Sequence, residues 1–184
     1  MKKSTIIGLG IVAVLLVVGF GSYNSLITGS EAVDNQWAQV ETQYQRRFDL
    51  IPNLVESVKG IMNQEQEIFT AIAEARTRYS GAQSVDEKAQ AAGQVESALG
   101  RLLVITENYP QLKSSETVQT LMAQLEGTEN RVSVERSRFN DTVRDYNLLT
   151  KRFPGMVFAK IFGFEARSYF EAATGADTTP KVQF

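Results

Sequence analysis

From Ile6 to Phe20 every position is apolar or glycine (IIGLGIVAVLLVVGF), within a charge-free stretch from Ser4 to Ser30. Beyond it the apolar residues return at steps of three and four, the period of a helix with one buried face. Val33, Trp37, Val40, Tyr44 and Phe48 form one such stripe; Val55, Val58, Met62, Phe69, Ile72 and Tyr79 form a second. A third segment is small-sided at Ala89 and Ala92 and heavier at Leu99, Leu102 and Leu103. In the fourth the steps alternate strictly: Val118, Met122, Leu125, Glu129, Val132, Arg136, Phe139, Val143, Tyr146, Thr150, Phe153. A sustained seven-residue repeat implies knobs-into-holes packing between helices.

Breaks in the pattern set the element boundaries. The four prolines stand at 52, 110, 154 and 180, and the long intervals between them are rich in good helix formers. Ser80-Gly81-Ala82-Gln83 interrupts the first interval, and Ser84-Val85-Asp86-Glu87 then has the Ser-x-x-Glu pattern of a capping box. The pattern predicts helices over 25–50, 53–80, 85–108 and 114–152, joined at Ile51-Pro52, Gly81 and Tyr109-Pro110. The expected fold is all-α: an N-terminal transmembrane helix continuing into an elongated up-and-down four-helix bundle, followed by a short C-terminal amphipathic helix. The expected organisation is a cytoplasmic stub and span over 1–24, the bundle over 25–153, an apolar membrane-proximal segment over 154–171 and a flexible tail over 172–184.

The apolar run reads as a membrane span because about 20 apolar residues in a helix cross a bilayer with every backbone group bonded. Lys2 and Lys3 precede it, and Ile6, Leu15, Leu16 and Phe20 represent its lipid-facing surface. A cleaved signal peptide has the same basic start, but it ends in a small-x-small site, for which Gly19-Phe20-Gly21 is a poor substitute. Positive charge before the span and acidic residues (Glu31, Asp34, Glu41) after it predict an N-terminus in the cytoplasm and a bundle outside it.

Helix parity adds a geometrical expectation. If the first bundle helix leaves the membrane, the second returns, the third leaves and the fourth comes back. The fourth, about 58 Å long at 1.5 Å per residue, then ends beside the membrane-proximal part of the first. It delivers Met156, Phe158, Ile161, Phe162 and Phe164 to the bilayer surface, as an interfacial foot or as a cover over the end of the bundle. Glu65, Glu129 and Arg136 fall on or beside the apolar stripes. The expectation for them is a polar layer, with the residues matched to one another or exposed. Trp37, Tyr44, Tyr79 and Tyr146 read as core fillers.

Composition narrows the chemistry. The chain has no histidine and no cysteine, which removes serine-histidine triads, thiol catalysis, disulfides, and zinc or di-iron sites that use those ligands. No Gly-Lys pair exists for a phosphate loop, and Ser84 with Lys88 reads as a helix cap rather than a catalytic pair. Setting aside Lys2 and Lys3, 17 basic residues face 21 acidic ones with no basic block, so nucleic acid is not an expected partner. No cofactor or catalytic residue is expected.

Several strings resemble the LemA family of bacterial membrane proteins. The most specific is Arg46-Arg47-Phe48-Asp49-Leu50-Ile51-Pro52-Asn53-Leu54-Val55. Others are Tyr23-Asn24-Ser25-Leu26, Glu107-Asn108-Tyr109-Pro110, Leu125-Glu126-Gly127-Thr128-Glu129-Asn130-Arg131-Val132, Tyr146-Asn147 and Ile161-Phe162-Gly163-Phe164. One departure is Phe48, where the family pattern leads one to expect histidine. The resemblance implies a single N-terminal span carrying a helical bundle, with no established active site to carry over. The functional expectation is a non-enzymatic scaffold or self-assembling envelope component. Its partners would be the lipid bilayer, further copies of itself and other envelope membrane proteins. The alternative is an extracytoplasmic ligand or peptide sensor or adaptor for another membrane protein.

Overall fold

The computed structural model describes residues 3–62 and 65–170. Among them are six helices and no strand: α1 (Lys3–Lys59), α2 (Gln66–Gly81), α3 (Val85–Thr106), α4 (Pro110–Lys113), α5 (Glu116–Lys151) and α6 (Gly155–Phe162). The all-α expectation holds. Lys2 and the tail over 172–184 lie outside the described residues.

The largest correction is at Pro52, which lies inside α1 instead of ending it. An interior proline costs a helix about 3 kcal/mol. Ile51, Leu54 and Val58 are buried around it, and burying each such side chain contributes about 1.5–3 kcal/mol. Burial outweighs the proline, and the helix continues to Lys59. The turn follows at Gly60 and Ile61, where Ile61 N and Met62 N both donate to Val58 O. Val55 and Val58 therefore belong to α1, and α2 begins at Gln66.

The second boundary is as expected. Ser84 Oγ accepts from Glu87 N at 3.2 Å, and Glu87 Oε2 accepts from Ser84 N at 3.3 Å and Gln83 N at 2.8 Å. The bonds from the Gln83 and Ser84 backbone hold the Glu87 carboxyl below its ordinary 4.5. A depressed folded pKa gives stability that is present above 4.5 and lost as pH falls through the folded value. The protection of the Gln83, Ser84 and Glu87 amides relative to intrinsic exchange should therefore fall below pH 4.5, before protection in the middle of α3 does. A Glu87→Gln variant should lack that step.

The chain divides into two compact units, one of Met1–Gln39 with Ser137–Tyr169, the other of Val40–Arg136 with Phe170 onward. In the first unit α5 runs antiparallel to α1. Trp37 meets Phe139 with ring centroids 5.3 Å apart, Gly29 lies under Tyr146 and Leu149, and Gly19 lies under Phe158. The return of the fourth long segment to the end of the apolar run, expected from parity, is thus present. Phe153 departs from the heptad reading: it lies beyond α5 and is 82% exposed.

The second unit contains the remainder of α1 and α5 with α2, α3 and α4. Its core includes Val40, Leu54, Val58, Ile72, Val95, Leu102, Leu112 and Val132. Tyr44, Phe48 and Tyr79 pack ring on ring, with Phe48 and Tyr79 at 4.7 Å and Tyr44 and Tyr79 at 5.3 Å. Tyr44, Tyr79 and Tyr146 are buried as core fillers, and Trp37 is half-buried. Leu103 is exposed, contrary to its expected place in the α3 stripe, and Thr106 is buried in its stead.

Candidate functional site

Two constellations stand out, one in each unit. In the first, α6 is fastened to the C-terminal end of the apolar run. Tyr23 packs its ring against Phe162 at 4.8 Å and Phe164 at 6.0 Å. Gly19 faces the Phe158 ring so closely that an added Cβ would stand 3.0 Å from it. Ala159 is the buried residue of α6, while Met156, Val157, Ile161 and Phe162 remain largely exposed. Gly163, at φ 76, ends the helix in the left-handed conformation that glycine adopts without strain.

Beyond Gly163 the chain runs as a strap whose backbone is bonded by a side chain of α5. Asn147, buried on α5, donates from Nδ2 to Arg167 O at 2.9 Å and accepts from Arg167 N at 2.8 Å through Oδ1. The Arg167 guanidinium reaches Ser30 Oγ and Asp34 Oδ2 on α1, each at 3.2 Å. One residue of the strap is thereby tied to both long helices.

The helix beneath this assembly is apolar and open. Ile6, Leu15, Leu16 and Phe20 are each more than half exposed. Among the described residues α1 is the one helix long and apolar enough to cross a membrane, by length and composition.

In the second unit a layer of charged side chains crosses the core. Arg136 Nε donates to Tyr44 Oη at 2.8 Å, and its Nη2 also meets Tyr44 Oη and Glu96 Oε1. Arg47 pairs with Glu129 and stands 3.5 Å from Glu96 Oε1. Phe170 lies over the Arg136 guanidinium, 4.6 Å from ring centroid to Cζ. Two arginines face two glutamates, so the layer is neutral. Burial works against the Arg136 charge, but Tyr44 and Glu96 outweigh it and its pKa is raised.

This differs from the expected layer. Glu129 and Arg136 take part, but each pairs with another residue, Arg47 and Glu96 respectively. Glu65 immediately precedes α2, makes no side-chain cap bond and is not among the partners of this layer. Lys88, beyond its place after the cap, pairs with Glu41.

Burial pushes the Tyr44 and Tyr79 phenols well above the ordinary 10.0. Tyr44 has Arg136 as a donor, whereas the Tyr79 hydroxyl is buried without a hydrogen-bond partner among the described residues. Tyr79→Phe should raise stability by about 1 kcal/mol, since it removes a buried polar group that has no bond to lose. A raised folded pKa gives stability that is kept below pH 10 and lost as pH rises beyond it. The advantage of Tyr79→Phe should therefore widen above pH 10, as read by thermal melts at pH 8 and 10.5.

Beside the layer a groove of about 570 Å³ opens between α3, α4 and α5. Leu103, Leu112, Val118 and Met122 give it apolar walls, and Arg47 and Glu129 line its inner side. No group of three or more metal-ligating side chains occurs among the described residues.

These features define a class: an all-helical protein with one N-terminal helix fit to span a membrane and a second unit crossed by a neutral ionic layer. A profile of the LemA family matches residues 36–184, and the chain belongs to the LemA family. It is similar to magnetosome protein MamQ 2 of Paramagnetospirillum magneticum, at 26% identity over 99% of this chain and 79% of the relative. Magnetosome protein MamQ of Magnetospirillum gryphiswaldense is also 26% identical, over 87% of this chain and 70% of its own. Protein LemA of Metamycoplasma hominis is 22% identical over 80% and 64%.

Proposed function

We propose that this is a single-pass membrane protein, with its N-terminus cytoplasmic and its bundle outside, that acts without catalysis as a self-assembling scaffold of the bacterial envelope. The observation that carries this reading is the fastening of α6 to Gly19 and Tyr23. It sets Phe153, Met156, Val157, Ile161 and Phe162, all exposed, beside the end of the apolar run. A bilayer crossed by that run receives these side chains in its interface, so the protein grips the membrane by a span and a foot. The buried Arg47 and the half-buried Arg136 are each matched by a carboxylate within the second unit, which suits a body that holds a shape. Self-association is supported by Leu103 and Val104, which leave 49% and 65% of their surface exposed on α3.

Mass measured by light scattering after mild detergent extraction tests the scaffold reading. The expected result is a defined multimer that Leu103→Asp with Val104→Asp reduces toward a monomer while its helical circular dichroism is kept. A wild-type monomer overturns it. A monomer whose melting temperature rises with an added peptide would favour the sensor reading, for which the groove beside Arg47 is the supporting observation. Labelling of Gln83→Cys in intact cells by an impermeant thiol reagent tests the orientation. Protection until lysis reverses it.

A further inference from the structure

A groove of about 580 Å³ lies between α1 and the end of α5, entirely within the first unit. Val18, Leu26, Leu149 and Phe153 give it an apolar side, and Arg152 and Asp145 also line it. Val18 belongs to the apolar run, so one end of the groove is level with that run's last turns. Arg152 is exposed and makes no ion pair among the described residues. Among the described residues Asp145 pairs with the neighbouring Arg144 alone, at 3.4 Å, and that guanidinium lies closer to Asp141, at 2.9 Å.

The two charges stand in a particular order. Asp145 lies on α5, and Arg152 is the residue just after its end, its N–H still bonded to Leu148 O at 3.0 Å, so the two stand about two helical turns, about 10 Å, apart along the axis. Because α5 runs antiparallel to α1, Arg152 is the nearer of the two to the apolar run. Moving outward from that run, the groove offers hydrocarbon, then a cation, then an anion. A phospholipid with an ethanolamine headgroup presents the complementary sequence: acyl chain, phosphate, ammonium.

We propose that this groove binds a bilayer aminophospholipid, its acyl chain along Val18 and Phe153, its phosphate on Arg152 and its primary ammonium on Asp145. Both polar contacts are charge-assisted hydrogen bonds. A choline headgroup has no N–H to donate to Asp145, and a glycerol headgroup carries no cation to meet it. The proposal rests on the membrane-anchored reading given above.

The test uses the full chain, equilibrated in vesicles of equal parts phosphatidylethanolamine, phosphatidylglycerol and phosphatidylcholine, extracted in mild detergent and assayed for retained lipid by mass spectrometry. The expected result is retention of phosphatidylethanolamine about fivefold above either competitor. Arg152→Gln and Asp145→Asn should each bring it close to parity, whereas Lys160→Gln, on exposed α6, should leave it unchanged. Equal retention of the three lipids by the wild type overturns the proposal, as does an equal loss in Lys160→Gln. Alkaline extraction of the same membranes separates the two readings. A wild-type chain released to the supernatant defeats the anchored reading itself, whereas a pelleted chain without headgroup preference defeats only the groove assignment.

Discussion

Arg136→Glu is expected to lower the melting temperature more than any other single change considered for this protein. The layer in the second unit balances Arg47 and Arg136 against Glu96 and Glu129. Reversing one charge leaves Arg47 facing three carboxylates and strips Tyr44 Oη of its donor. Removing one partner of a buried pair costs about 3–5 kcal/mol. Glu96 retains some contact with water, its side chain 27% exposed, which places the cost toward the lower end of that range. Even so, this is a large share of the 5–15 kcal/mol that holds a typical domain together. Thermal unfolding followed by circular dichroism checks the loss. Adding Glu96→Arg to Arg136→Glu should recover a part of it, because the pair is then restored with its signs exchanged. The same geometry makes Arg136 unsuitable as a probe of self-association, since its charge is used inside the unit.

Two members of this layer were legible in the sequence because Glu129 and Arg136 interrupt a strict heptad on α5. Arg47 was legible in the same way had the first stripe been followed further. Positions 33, 37, 40, 44, 47, 51, 54 and 58 step by four and three throughout, and all are buried except the half-buried Trp37. That series passes through Pro52 without changing phase, so it also contains the information that α1 does not end there. The local rule that proline stops a helix competes with a stripe of buried side chains, and here the stripe prevails. Glu96, between Ala92 and Leu99 at spacings of four and three, is harder to single out because small alanines flank it and leave the buried face of α3 broad.

Asn147→Ala carries the second large effect. One carboxamide satisfies both the N–H and the C=O of Arg167, so its removal leaves two partly buried backbone groups without partners. Each unsatisfied group costs about 1–3 kcal/mol, and about 2–4 kcal/mol is expected for the pair once water reaches the loosened strap. The readout is local. Amide exchange over residues 163–169 and proteolytic cleavage after Arg167 should accelerate by about two orders of magnitude, while exchange in α3 stays unchanged. Asn147→Asp keeps the acceptor but has no N–H to donate, and is expected to fall between the two.

This clamp was not legible in advance. Tyr146 announces itself by spacing, but Asn147 is its neighbour and has no pattern of its own; its partners lie on a strap that has no helical period. Hydrophobic periodicity locates what faces a core, whereas a side chain that imitates a backbone partner becomes visible only once the other backbone is in place. The aromatic fastening at Tyr23 lies between these cases. Parity brings α6 to the end of the apolar run, yet which of its residues turn inward depends on Gly19 having no side chain.

α1 has no interruption between Ile6 and Gln39. Gly19 under Phe158 and Gly29 under Tyr146 are therefore two fixed marks on one screw. A residue added between them turns one mark relative to the other by about 100° and advances it about 1.5 Å. No neighbouring loop exists to absorb that rotation. The interval between the two glycines is thus a phase as well as a length, changeable only in steps close to whole turns.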